Sequence, residues 1–546
     1  SMKKNLQIGR KIALAIVLLV TVTVVNAQTT AIATGNWNNA ATWSAGIPDA
    51  TDAVTINNGV TVTVNTAAEC ASIVINSGNT NSGITISSSN SLTVSGAITV
   101  NAPTSNNRNR TISVGSGTLS CASVSFANTT DNTRDINLTI GTGTVTVTGN
   151  FAMAGNANRN AVSFSGTGTL NLGGTFTGGT VNESTGTIRY TSASSQEIRD
   201  MDYNNLTFSG AGTKTLPGNI VVMGDVLVEA GTEVTFGADD IDMDDNGNHS
   251  ITINGILNIN GSGRLFQNGS GTKSMFIGST GVLNITATTS LPSFDTYSFD
   301  AASTVHFGAS GNQTIENSAT YGNLTTSGSG TKTLESNGGT MTFAGTITIG
   351  NGTTLNSNNK TMNVGGGFIN NGSFTRGTST VVLNGSVEQE LGGTTSTVFT
   401  SLTINNSSTT GVTLSNDCNV AGTLTLTDGV VNTDDSPGLL TMDAGASISG
   451  GSLAAHINGP LAKTGDTDFT FPVGDGARYR PISMSSLTSA TGTSVVTARY
   501  ILGNPRTAYG VAGTGPALTI KDISLCEYWD LNDGAESISA VIGLQY

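Results

Sequence analysis

Charge is scarce in this sequence. Asp, Glu, Lys and Arg together make up 11% of 546 residues, and 22 basic against 36 acidic side chains leave a net charge of −14. No stripe of Lys and Arg stands ready to neutralise phosphates, which argues against a nucleic-acid partner and against docking on anionic lipid. Acidity of this size keeps a repetitive β protein soluble. Histidine is scarcer still: His249, His306 and His456 are the three, and none has a partner at metal-ligand spacing. No nucleophile elbow occurs, and the many Gly-x-Gly pairs are turn glycines, because no helix follows them to aim amides at a phosphate. Helical periodicity is missing after residue 27, so helical architectures are excluded. Proline numbers 10 and cysteine 4, at Cys70, Cys121, Cys418 and Cys526, with no short spacing. For Cys70 and Cys121 the first reading is a small buried residue in a strand ladder; a bridge between stacked coils is the alternative in an exported protein.

Glycine, by contrast, is abundant, at 70 residues, and apolar residues make up 36%. From about Ala68 to Gly459 runs such as Ser72 to Ile75, Ile84 to Ile86, Ile112 to Val114 and Val145 to Val147 place β-branched residues at every second position. That is the pattern of a strand with one face in a core. Asn-Gly, Gly-Thr-Gly and Asn-Asn-Ser stretches between them supply positive φ and side-chain-to-backbone bonds for sharp corners.

One arrangement recurs three times. Val305 and Phe307 lead to Gln313, then Leu324-Thr325 and Thr333-Leu334; Ile188 and Tyr190 lead to Gln196, Leu206-Thr207 and Thr215-Leu216; Val381 and Leu383 lead to Gln389, Leu402-Thr403 and Thr413-Leu414. The first apolar residue stands 8 before the Gln each time, while the Gln-to-Leu gap stretches through 10, 11 and 13. Fixed strands with elastic loops are what stacked β-coils produce. A sandwich or propeller would give similar local text, but no fixed blade period emerges. The expected fold is therefore all-β: a parallel β-helix (β-solenoid) followed by a partial β-sandwich-like domain.

In chain order, Lys3, Lys4, Arg10 and Lys11 precede the apolar run Ile12 to Val25, closed by Asn26-Ala27. This reads as a secretory signal peptide over 1–27, the run being short of the roughly 20 residues that span a bilayer. No transmembrane segment is expected in the mature chain. Residues 28–67 read as an N-terminal cap, with Trp37 and Trp43 beside a Gly46/Pro48 turn to plug an open sheet edge. Residues 68–459 read as solenoid with related blocks at 187–240, 304–355 and 380–430, and 460–546 as an incomplete β-sandwich-like domain carrying Phe471-Pro472-Val473-Gly474 and Tyr479-Arg480-Pro481.

The opening Trp37, Thr42-Trp43, Gly46, Pro48 followed by paired Val/Ile strands resembles the start of large secreted surface proteins of the Bacteroidetes, many of them adhesin-like and exported by the type IX route. The Phe-Pro-Val-Gly turn with its Tyr-Arg-Pro partner is similar to a module near the C-terminal side of such proteins. The resemblance implies export, a cell-surface location and attachment through a part beyond this chain.

For chemistry, the best candidate is the run Asp239 to Asn248. Asp242, Asp244 and Asn246, followed by Gly247, match the first half of an EF-hand-like loop, and with Asp240 they are expected to offer a calcium site, although Ile253 stands where the closing Glu belongs. No other cofactor is indicated. Solenoids that cleave polysaccharides align acids on one face, and Asp240, Asp242 and Arg264 are the set this sequence offers for that alternative. Thr144-Val145-Thr146-Val147-Thr148 suggests an ice-binding array, but the three blocks keep Thr in step only at Thr215, Thr333 and Thr413. The expected function is a non-enzymatic, secreted, adhesin-like stalk whose partner is a glycan or cell-surface ligand, with side-by-side association of rods open to it.

Overall fold

A computed structural model of the chain describes residues 27–545 apart from 130, 132, 156–158, 288–289, 338, 489–493, 510–523 and 535–538. Residues 1–26 of the expected signal peptide lie outside the described residues. Strand makes up 54% and helix 1% of the structure, organised as a parallel β-solenoid of about 19 turns. At about 4.8 Å per turn the rod is roughly 90 Å long. Among the described residues no helix is long and apolar enough to cross a membrane.

Each turn contributes strands of a few residues, and the alternation seen in the sequence becomes an inside and an outside. In Thr380–Leu383 the burial alternates, with Val381 and Leu383 inside. Thr61–Val64, Thr144–Val147 and Thr187–Tyr190 do the same. Stacking such strands in parallel builds continuous walls. A 16-stranded sheet folds round a corner, because Ser91–Val100 and Thr118–Thr129 each pair through two segments: one line runs from Gln28–Ala31 to Phe176–Gly178, and the other, the first wall, from Ala68–Cys70 to Thr296–Phe299; a 10-stranded sheet takes up from Thr340–Phe343. The two are joined through the ring stack of Phe299, Tyr321 and Phe343 and the bridge between Tyr321 and Phe343. The second wall is a 14-stranded sheet from Gln196–Glu197 to Val473–Gly474; a 7-stranded sheet in the N-terminal half precedes the third. The third consists of a 3-stranded and a 4-stranded sheet, within Ile220–Asn268 and Gln313–Thr375 respectively.

The expected domain boundaries are not visible as breaks. Residues 28–67 already form solenoid turns: Gln28–Ala31 pairs in parallel with Ala53–Ile56, which pairs with Ser72–Ile75. Trp37 and Trp43 do fill the end of the core, 1% and 4% exposed, packed edge to face at 4.9 Å, with Trp43 Nε1 donating to the Trp37 carbonyl at 2.8 Å. At the other end parallel pairing continues past residue 459, through Leu440 with Leu461 and Ile457 with Val473. Only then does the chain turn antiparallel, Leu461–Thr464 with Val495–Leu502 and Phe469–Phe471 with Ile482–Thr488. The C-terminal segment thus grows directly out of the last turns.

The three Gln blocks share one corner but not one face. The first steps from wall one to wall two, the second from wall two to wall three, and the third again from wall one to wall two. The block is a corner unit that serves at more than one edge of the prism.

Candidate functional site

The corners explain why Gln recurs. Gln313 is buried; its Nε2 donates to the carbonyls of Ile285 and Ala287 in the turn beneath, and its Oε1 accepts from the Ala309 amide. Gln196 does the same with Leu172, Gly174 and Ser192, and Gln389 with Val364, Gly366 and Gly385. At each bend one amide side chain ties two carbonyls of the turn beneath to an amide of its own turn, adding to the backbone amide that the Ile285, Leu172 and Val364 carbonyls already accept.

Lysine does the complementary work, and the sequence reading missed it. Lys332 sits in register on Gln313, and Lys214 on Gln196. Lys332 Nζ donates to the carbonyls of Ala309, Gly311 and Ser329 at 2.8–3.1 Å, Lys214 Nζ to those of Ser192 and Gly212, and Lys273 Nζ to those of Asp245 and Gly247. All five lysines among the described residues, Lys214, Lys273, Lys332, Lys360 and Lys463, are buried. Burial lowers the pKa of Lys214, Lys332 and Lys463. A signal was present: Gly-Thr-Lys, then Thr or Ser, then Leu or Met, at 212–216, 271–275 and 330–334.

The expected calcium ligands are not gathered about a centre. Ile241–Asp244 is a strand, not a loop, because Ile241 and Met243 are drawn into the core. Asp242 and Asp244 therefore project outward side by side along a straight backbone. Asp240 is held by Arg264, Oδ2 to Nη2 at 2.8 Å and Oδ1 to the backbone amide at 2.7 Å. Asp242 Oδ2 accepts from Asn268 at 2.7 Å, and Asn246 Oδ1 accepts from Ser270 Oγ at 3.0 Å. Burial, followed by the neighbouring aspartates, raises the pKa of Asp242. Among the described residues no group of three or more His, Cys, Asp or Glu side chains is arranged to hold a metal ion. Asp240, Asp242 and Arg264 do come together, but Arg264 is spent on an ion pair.

Of the histidines, His456 is fully buried, its Nδ1 donating to the Ser452 carbonyl and its Nε2 accepting from the Gly476 amide. His306 lies on the outer side of its strand, bonded to Thr325 Oγ1 and Ser327 Oγ.

Two carboxylates on successive turns meet elsewhere. The register of Ile315 with Leu334 brings Glu316 and Glu335 into line, and both open on a cleft of about 570 Å³ walled by Phe294 and Tyr297. Glu316 Oε2 accepts from the Leu291 amide at 3.0 Å; Glu335 accepts from the Asn317 amide at 2.9 Å and from Asn337 Nδ2 at 2.8 Å. Burial, and then the like charge of Glu335, pushes the Glu316 carboxyl above its usual range. Glu316 is therefore a carboxyl that keeps its proton to higher pH, beside a second acid and an aromatic wall. Sequence reading missed the pair because the two residues are 19 apart and only the stacking makes them neighbours.

The cysteines follow their first reading. Cys70, Cys121 and Cys418 are buried free thiols, and burial pushes the pKa of each up to about 12. Val94 stands in register between Cys70 and Cys121, so the two are a full turn further apart than neighbours and beyond disulfide reach.

No protein family, curated protein or solved structure matches this chain.

Proposed function

We propose that this protein is an exported, non-enzymatic attachment rod of the cell surface, of the style the Bacteroidetes resemblance implies, with a glycan or surface ligand as its partner. The observation that carries the reading is the unbroken parallel pairing from Gln28 to Gly474. Such a stack spends its sequence on length, and its outer faces repeat the same small polar groups many times, a form suited to many weak contacts. The buried Trp37–Trp43 pair supports a closed end, as a free-standing rod requires.

The Glu316–Glu335 cleft favours one second reading, a polysaccharide-cleaving solenoid. One carboxyl would protonate the glycosidic oxygen while the other activates water or attacks the sugar.

Incubation of the full chain with plant, algal and bacterial polysaccharides, with and without calcium, separates the two. Retention without new chain ends is the expected result. Release of new reducing ends that disappears in Glu316→Gln would replace the attachment reading with the second one.

A further inference from the structure

The outer side of the first wall changes character at Thr340. Six successive turns place Thr340, Thr361, Thr380, Ser401, Thr423 and Ser447 in one file, in unbroken register. Two residues along each strand runs a second file: Thr342, Asn363, Val382, Thr403, Thr425 and Ser449. Ten of these twelve positions carry a hydroxyl, and none carries a charge or a ring. The strand geometry fixes a grid of about 4.8 Å along the rod by about 6.7 Å across it. Most of the hydroxyls belong to threonine, whose branched Cβ restricts χ1 and holds methyl and hydroxyl in place.

What these hydroxyls bond to is the second observation. Outward side chains on the second wall satisfy one another along the axis: Asn258 Nδ2 donates to Glu233 Oε1 at 2.6 Å, Asn284 Nδ2 to Asn258 Oδ1 at 2.7 Å, and His306 Nδ1 meets Thr325 Oγ1 at 2.7 Å. On the first wall the ten hydroxyls make a single side-chain contact among the described residues, Thr423 Oγ1 with Ser447 Oγ at 3.4 Å. The rest have no side-chain hydrogen bond among the described residues, at the spacing that the parallel register sets. None of the twelve positions bears a charge, so water bonded there meets only hydroxyl, amide and methyl groups.

From this geometry we propose that the face from Thr340 to Ser449 binds ice, its ordered hydration layer merging with the crystal lattice. The same grid lacks the aromatic platforms on which sugar rings stack, so a crystalline polysaccharide is the poorer fit. The inference rests on this face alone and does not require the attachment reading.

The test is partitioning of the full chain into slowly growing ice, beside Thr380→Lys/Thr403→Lys, which plants two charges at the centre of the grid, and Thr348→Lys, an outward position on the second wall. Continued protection of the Cys418 thiol in each variant verifies that the turns beneath the grid remain folded. Wild type and Thr348→Lys are expected to enter the ice, and Thr380→Lys/Thr403→Lys to be left in the liquid. Exclusion of the wild type, or equal entry of the folded double variant, overturns the inference. Retention on crystalline cellulose with exclusion from ice also overturns it, while leaving the attachment reading standing.

Discussion

Lys332 and Gln313 show what a single side chain must do at a corner where the backbone leaves its ladder. Gln313 donates to two carbonyls and Lys332 to three, beside the backbone amides of Gly308 and Ser329 that also reach the Ile285 and Ala309 carbonyls, and each supplies donors that a shorter or apolar residue lacks. Lys332→Met keeps the volume and removes the donors, so about 1–3 kcal/mol of local stability should be lost. Amide hydrogen exchange resolved turn by turn is the appropriate measurement, since a repeat array need not unfold as one unit. A loss confined to the turns around Gln313 and Lys332 is expected; exchange unchanged from wild type would mean water replaces the ammonium freely. Gln was legible in the sequence because its spacing repeats. Lysine was not, because a charged residue is assigned to the surface unless something pairs it, and here the partners are backbone carbonyls, which every sequence contains and none displays.

At the level of the strand and its corner, alternation specified the elements well, and runs such as Ser72–Ile75 and Thr144–Val147 appear as strands with those bounds. Register across turns was beyond reach, since turns of unequal length hide which residues stack. For that reason the Glu316–Glu335 pair and the Thr/Ser files came to light only in the structure, and for the same reason Asp240 to Asn246 looked like a loop. The pair has a consequence for pH. The Glu316 pKa is raised in the folded chain, so between the unfolded and folded values the unfolded state holds fewer protons, and stability falls as pH rises through that window. Glu316→Gln should flatten this fall, which thermal unfolding from about pH 4 to pH 7 would reveal. A wild-type curve as flat as the variant's would contradict the assignment. The strands also set thiol reactivity. Cys526, exposed, should react with a maleimide in the native protein, whereas Cys70, Cys121 and Cys418 should react only after denaturation. Mass spectrometry of the labelled peptides distinguishes the two groups.

Over the whole molecule the fold class was legible. The parallel solenoid follows from fixed strands and elastic loops. Near residues 67 and 459 the terminal segments pair with the turns next to them. The rotation of the second Gln block onto the next pair of walls has the same origin: a corner unit is judged by its immediate neighbours, so it is accepted at any edge that offers the same carbonyls.

The bonds between successive turns lie along the long axis, while the covalent chain runs across it. Tension applied to the two ends of the rod would therefore load those rungs in line and open them singly, beginning at an end. Each opened turn would release roughly 20–25 residues, about 70–80 Å of slack. A tether made this way yields in steps under sudden load, and it can rewind when the load passes, because each turn left in place is a template for the next.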